Sequence, residues 1–178
     1  MDYSAAAKEL KEEMTLRRDF ASQEEAVILS YLFTSQRMEK LAYAFFASHG
    51  LSDAQFNVLI LLWDLRNRKV HQWELADMLL VNRASIGGLI DRMLRKSLLK
   101  RSPDPEDRRA LCVSLTPKGN QMLERVKNPY YAMLAQAFDG FAPPDLDQFL
   151  RYLNLFRKKI NAIHDQIKGR GASIGETN

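Results

Sequence analysis

The residues of this chain best suited to chemistry are cations gathered in one span. Arg83, Arg92, Arg95, Lys96, Lys100, Arg101, Arg108 and Arg109 stand against four acids, Asp91, Asp104, Glu106 and Asp107. That span therefore carries the whole net charge of +4 of the 178-residue chain. A local excess of this kind is the footprint of a polyanion partner. Other chemistries find little support. No nucleophile motif, phosphate loop or carboxylate pair stands out, so neither catalysis nor a cofactor is expected. His49, His71 and His164 are far apart and share no ligand spacing, so no metal is expected. The one cysteine, Cys112, excludes a disulfide within the chain and fits a reducing cytoplasm. A lone cysteine in a strand is most often a small buried apolar residue.

Composition sets the frame for those cations. With 46% hydrophobic and 27% charged residues, the chain has ordinary globular chemistry and enough apolar mass for a core. The N-terminal MDYSAAAKELKEEM carries early acids and no long apolar run, unlike a secretory signal. Uncharged runs fall far short of the roughly 18 residues a membrane span needs.

The elements that position the cations follow from capping and periodicity. Residues 4–18 have a weak amphipathic pattern carried by Leu10, Met14 and Leu16, within an extension over 1–21. Ser22 and Glu25 have the spacing of a reciprocal capping box, which predicts a helix to about Ser48, stopped by Gly50. Its Val27, Ile28, Tyr31, Leu32, Met38, Leu41, Phe45 and Phe46 are too many for one stripe, implying burial against its own domain and a second subunit. Ser52 or Asp53 caps the next helix, whose apolar face is Phe56, Leu59, Ile60, Trp63 and Leu65. Val70-His71 reads as a minimal strand. Gln72 to Leu80 forms a short helix with Leu75, Ala76 and Leu79 inward. After the Val81-Asn82 turn, Asn82 caps a helix from Arg83 to about Ser97. There Ile86, Leu89, Ile90, Met93 and Leu94 must face the core. Leu98–Ser102 and Ala110–Thr116 read as antiparallel strands joined by the turn PDPEDRR. The order is a helix-turn-helix followed by a wing, a DNA-reading device. Thr116 then caps a helix with Pro117 first, which Pro129 should kink or interrupt, and whose stripe reaches Gly140. Pro143-Pro144-Asp145 opens a last helix with one seam: Leu146, Phe149, Leu150, Leu153, Phe156, Ile160 and Ile163. From Gly169 the composition reads as a disordered tail.

The run LADMLLVNRASIGGLIDRMLRKSLLKRSPDPEDRRALCVSLTPKG, and within it DPEDRRA followed by V-x-L-T-x-x-G, resembles the core of the MarR family of bacterial regulators. The wider resemblance covers about residues 25–167. It implies a homodimer whose first and last helices intertwine. Each recognition helix would enter a major groove of a near-palindromic operator, with each wing toward the adjacent minor groove. It also implies a pocket for a small aromatic or phenolic effector, in the region of Tyr43, Phe46, His49, Phe56 and Trp63. An aromatic core is the competing reading of those five. Effector binding would stabilise a dimer whose recognition helices are wrongly spaced for DNA. Some relatives sense peroxide through a cysteine near the start of the first long helix; this chain has none there.

Site residues follow from the recognition-helix position. Arg83, Ala84 and Ser85 occupy the N-terminal turn that faces base edges, where Arg83 can bind guanine bidentately. Arg92, Arg95 and Lys96 lie later and suit phosphate. In the wing, Asp107 and Arg109 match the family's D-x-R pair. A carboxylate two residues away can hold the guanidinium in one rotamer, and arginine is favoured in a narrow minor groove; Arg108 is a weaker candidate. Gly87-Gly88 departs from the family, which often has Thr or Ser and then Arg. Each glycine costs a helix interior roughly 1 kcal/mol. Either bare backbone sits deep in the groove, or the glycines pack on a neighbouring helix, or they have drifted.

The expectation is a mainly α fold with a small antiparallel β wing. A winged helix-turn-helix occupies 51–116, dimerisation helices 22–50 and 117–167, and a flexible tail 168–178. The function expected is a cytoplasmic, homodimeric, sequence-specific regulator of double-stranded DNA, a repressor, with a small-molecule effector and no membrane association. The competing reading is a winged-helix protein-interaction module that has lost specific DNA binding.

Overall fold

Helix caps divide this chain, and most are visible as single hydrogen bonds. The computed structural model describes residues 5–79, 82–104 and 111–175, excepting the side chains of Arg83 and of residues 170–175. In chain order the elements are α1 (Ala5–Glu13), α2 (Gln23–Ser48), α3 (Asp53–Asp64), α4 (Gln72–Met78), α5 (Arg83–Arg95), β1 (Leu99–Pro103), β2 (Leu111–Leu115), α6 (Pro117–Ala137) and α7 (Pro143–Gly175). The fold is thus mainly helical with a two-stranded antiparallel wing, as expected from the sequence.

Ser22 caps α2, its Oγ accepting the Glu25 N–H at 3.3 Å. The return half of the expected box differs. The Glu25 carboxylate accepts from the Ala21 N–H and from both terminal nitrogens of Arg18. Hydrogen bonding to Arg18, then to that backbone N–H, holds its pKa down to about 2. Gly50, at φ +72, turns the chain after α2, a backbone region that an L side chain strains to enter. Ser52 and Gln55 form the reciprocal box that opens α3, with both bonds present at 3.3 and 3.1 Å. Asn82 caps α5, its Oδ1 accepting the Ser85 N–H at 2.7 Å. Thr116 caps α6 through the Gly119 N–H at 3.0 Å.

The chain divides into two units, Met1–Tyr130 and Tyr131–Asn178. The core of the first is built where α3, α4, α5, the hairpin and the first turns of α6 meet. Phe56, Leu59, Leu75, Ile86, Ile90, Met93, Leu98, Leu123 and Val126 are all 2% exposed or less. Full burial of such side chains contributes about 1.5–3 kcal/mol each. In α3 the buried face also takes in Val58 and Leu62, which the expected stripe omitted, while Ile60 and Trp63 are only partly buried. The strands pair from Leu99↔Leu115 to Pro103↔Leu111, within one residue of the expected bounds. Val70 and His71 join them as expected: His71 bridges Cys112, and the Val113 N–H donates to the Val70 carbonyl at 2.8 Å.

Gly119 is the tightest point of the core. A Cβ built there would lie 2.1 Å from the Leu98 carbonyl oxygen. Only a glycine lets the first turn of α6 pass over the entrance to β1.

Two helices run on past an expected break. Pro129 lies inside α6 without interrupting it, and the helix continues from Pro117 to Ala137; the proline removes one N–H but its ring angle is helical. The backbone of α7 continues to Gly175, past the expected stop at Gly169. No proline follows Pro144, and a glycine in a helix costs about 1 kcal/mol without ending it.

Both long helices leave apolar surface outside. On α2 only Ala26 and Phe46 are buried, while Val27, Ile28, Tyr31, Leu32, Leu41 and Tyr43 are exposed. In the second unit, Phe149, Leu150, Tyr152, Leu155, Ile160, Ile163 and Ile167 of α7 are all exposed. No described helix is long and apolar enough to cross a membrane.

Candidate nucleic-acid interface

Helix α5 has one face in the core and one in solvent. Ile86, Leu89, Ile90 and Met93 fill the inner face at no more than 6% exposure. Ala84, Ser85, Gly88, Asp91, Arg92, Arg95 and Lys96 are exposed on the other side, and Gly87 is partly covered. Arg83 begins the helix, and its side chain lies outside the described residues. Asp107, Arg108 and Arg109 also lie outside them, in the connection between β1 and β2.

The cations split into two groups. Arg101 on β1 donates to Asp91 of α5 at 2.8 Å and to Gln72 of α4 at 2.9 Å. The ion pair with Asp91 and the hydrogen bond to Gln72 together link the wing strand to both helices of the pair, a role for Asp91 that the sequence did not reveal. Lys96 reaches back to the Gly50 carbonyl at 3.2 Å, which ties the end of α5 to the α2–α3 turn. Arg92 and Arg95, by contrast, are exposed and have no ion-pair partner among the described residues. They are the outward cations of the helix.

Helix packing does not require the two glycines. A Cβ at Gly87 would meet only the flexible end of Gln72 at 3.4 Å, and one at Gly88 only the Arg92 guanidinium at 3.5 Å. Both are ordinary contacts.

The five aromatic-region residues do not form one pocket. Phe46 and Phe56 are core, with ring centroids 4.8 Å apart and Tyr130 beside both. His49 closes α2, its Nδ1 2.8 Å from the Phe45 carbonyl. Trp63 carries two cations over its ring, with Arg66 4.2 Å and Lys127 3.9 Å from the ring centre. Tyr43 lines an open cavity of about 820 Å³ with Met38, Asp53 and Tyr130, and Trp63 a separate cleft of about 360 Å³ with Leu62, Arg66 and Lys100.

At the foot of the wing a cluster appears that sequence spacing hid. Asp104, read from sequence as a turn acid, is only 6% exposed. Its carboxylate meets His71 Nε2 at 2.9 Å, Lys69 Nζ at 3.3 Å and the Cys112 thiol at 3.6 Å. Glu74 accepts the His71 backbone N–H at 2.8 Å and lies 3.1 Å from Nδ1. Burial alone would raise the Glu74 carboxyl, but His71 and Arg68 outweigh it and hold it below its ordinary value. Burial, and then the Asp104 charge, push the Cys112 thiol up, the opposite of a peroxide-reactive cysteine.

Comparison with known proteins agrees with this arrangement. The MarR family model matches residues 51–111. The chain is 27% identical over 139 residues to the HTH-type transcriptional repressor YetL of Bacillus subtilis (strain 168), spanning 78% of this chain and 83% of that protein. It is 32% identical over 118 residues to the uncharacterized HTH-type transcriptional regulator YkoM of the same organism, spanning 66% and 72%. Among solved structures, the fold is similar to AbsC of Streptomyces coelicolor, with a TM-score of 0.73 and 20% identity over 82% of this chain and 99% of that one. It is also similar to MepR of S. aureus in complex with DNA, with a TM-score of 0.70 and 18% identity over 78% and 99%. A helix pair feeding a basic recognition face, a hairpin behind it and these relatives place the chain in the MarR family of winged helix-turn-helix, DNA-binding transcriptional regulators, which are not enzymes.

Proposed function

We propose that this chain is a cytoplasmic repressor that binds a near-palindromic operator as a homodimer. The observation that carries the DNA reading is the division among the cations: Arg101 and Lys96 are used internally, while Arg92 and Arg95 face outward without partners among the described residues. Outward cations on a recognition helix suit phosphates, and so set affinity and register. Arg83, Ala84 and Ser85, in the first turn, take base edges. Asp107, Arg108 and Arg109 take the minor groove, with Arg109 in the leading role and Asp107 holding it. Gly88 supports close backbone approach, since packing within the chain makes no demand for it. Lys96, tied to Gly50, is the weakest phosphate contact of the set.

The homodimer is supported by the uncovered apolar faces of α2 and α7. Each is more apolar than solvent-facing helices ordinarily are. YetL is named a repressor and the MepR structure is named a DNA complex, which supports both halves of the reading. The cavity beside Tyr43 and Tyr130 supports a small aromatic effector, although Phe46, Phe56, His49 and Trp63 are committed to the core and to helix ends.

Arg109→Ala tests the wing assignment. It should weaken binding to the operator roughly tenfold or more, by the value of one good arginine contact in each half-site, with circular dichroism and dimer mass unchanged. Unchanged affinity at near-physiological salt would remove Arg109 from the interface.

A further inference from the structure

We propose that the foot of the wing is a transition-metal site, with His71, Asp104 and Cys112 as its ligands. Three segments converge there: the residue before α4, the residue after β1 and the second residue of β2. Among the described residues it is the one group of its kind, offering an imidazole nitrogen, a carboxylate oxygen and a sulfur within 4.8 Å of one another. A tetrahedral centre with zinc's bond lengths sets its ligand atoms roughly 3.3–3.7 Å apart. The Sγ–Oδ2 separation of 3.6 Å already lies in that range, and the Nε2–Oδ2 separation of 2.9 Å needs to open only slightly.

The surroundings are those of a metal ligand set. A neutral imidazole carries one N–H, yet both ring nitrogens of His71 face carboxylate oxygens, Glu74 at Nδ1 and Asp104 at Nε2. A neutral ring leaves one of those nitrogens without a proton to donate, and a metal ion between it and its carboxylate would satisfy both. Glu74 in that position is the outer carboxylate that fixes a ligating histidine's tautomer and aims the other nitrogen inward. Asp104 can serve a metal through Oδ2 while Oδ1 keeps Lys69. The sulfur binds as thiolate, its proton leaving to solvent. A cleft of about 530 Å³ lined by Lys69, Ser102 and Cys112 gives a route in. The mixed sulfur, nitrogen and oxygen set, with a fourth position for water, selects zinc or cobalt over the hard cations magnesium and calcium. Bound there, the ion would pin the wing's two strands to the start of the helix-turn-helix.

The test uses the untagged full-length protein, stripped with chelator and titrated with cobalt(II). The expected result is one cobalt per chain, with a thiolate-to-cobalt charge-transfer band in the near ultraviolet that zinc abolishes. Cys112→Ser should remove the band, and His71→Gln should weaken binding roughly 10–100-fold or more. Because Cys112 is the one thiol in the chain, a second readout needs no variant: stoichiometric zinc should slow its reaction with a disulfide reagent, and chelator should restore it. Absence of the thiolate band from the wild-type protein, its survival in Cys112→Ser, or a thiol reactivity indifferent to zinc would each overturn the site.

Discussion

Gly119→Ala should lower the thermal midpoint by roughly 6–12 °C. The added methyl would sit 2.1 Å from a backbone oxygen, that of Leu98. A flexible side chain could swing aside, but this carbonyl is held by the Thr116 N–H and hydroxyl, both at 3.1 Å. The shift must therefore move α6 against β1, and overpacking of that kind costs on the order of 3 kcal/mol or more. For a chain of this size each kcal/mol moves the midpoint by about 2–4 °C. Gly88→Ala is the control, because the same chemical change has the opposite sign there. Its Cβ meets nothing closer than Arg92 at 3.5 Å, so helix propensity should raise stability by up to about 1 kcal/mol. If bare backbone at Gly88 serves the groove, that more stable protein should also bind DNA less well. A Gly119→Ala midpoint within two or so degrees of wild type, by differential scanning calorimetry, would show that the first turn of α6 is free to move.

Glutamate at both Leu150 and Ile163 should convert the protein to monomers. These side chains are 54% and 55% exposed in the single chain, so the substitutions cost the isolated fold little. In a dimer that covers this face they bury unpaired charge, at several kcal/mol per ion. That corresponds to a rise in the dimer dissociation constant of roughly 10²-fold or more. Light scattering after size exclusion should give the monomer mass with helical circular dichroism retained. A dimer of unchanged stability would exclude this face from the interface.

How much was legible in the sequence depended on how local the signal was. The caps at Ser22, Ser52, Asn82 and Thr116 are readable because capping needs one side chain and one nearby N–H. The core face of α5 is readable because its period is short. Arg101–Asp91 joins residues ten apart through a strand and a helix, so its pairing appears only once the hairpin folds back. His71, Asp104 and Cys112 escape for a stronger reason. Their spacings of 33 and 8 residues match no ligand motif, and the prolines on either side of Asp104 make it read as a turn acid. Gly119 stood in a recognised pattern, yet its reason, a carbonyl from another element, has no trace in neighbouring residues. Of the aromatic group, Phe46 and Phe56 lie in the core, because a helix face supplies rings to the core before it supplies them to a ligand.

Fluorescence anisotropy can show whether the outward cations serve a sequence-specific interface, with a duplex from the region upstream of this protein's own gene, a scrambled duplex of equal length and a salt series. Specific recognition predicts a preference of roughly 10³-fold or more for the upstream duplex near physiological salt. It also predicts a log–log salt slope that becomes shallower when Arg92 and Arg95 are replaced by alanine. Equal, weak binding to both duplexes, vanishing with salt and indifferent to Arg92 and Arg95, would leave no sequence-specific interface on α5 and favour a winged helix that binds protein instead.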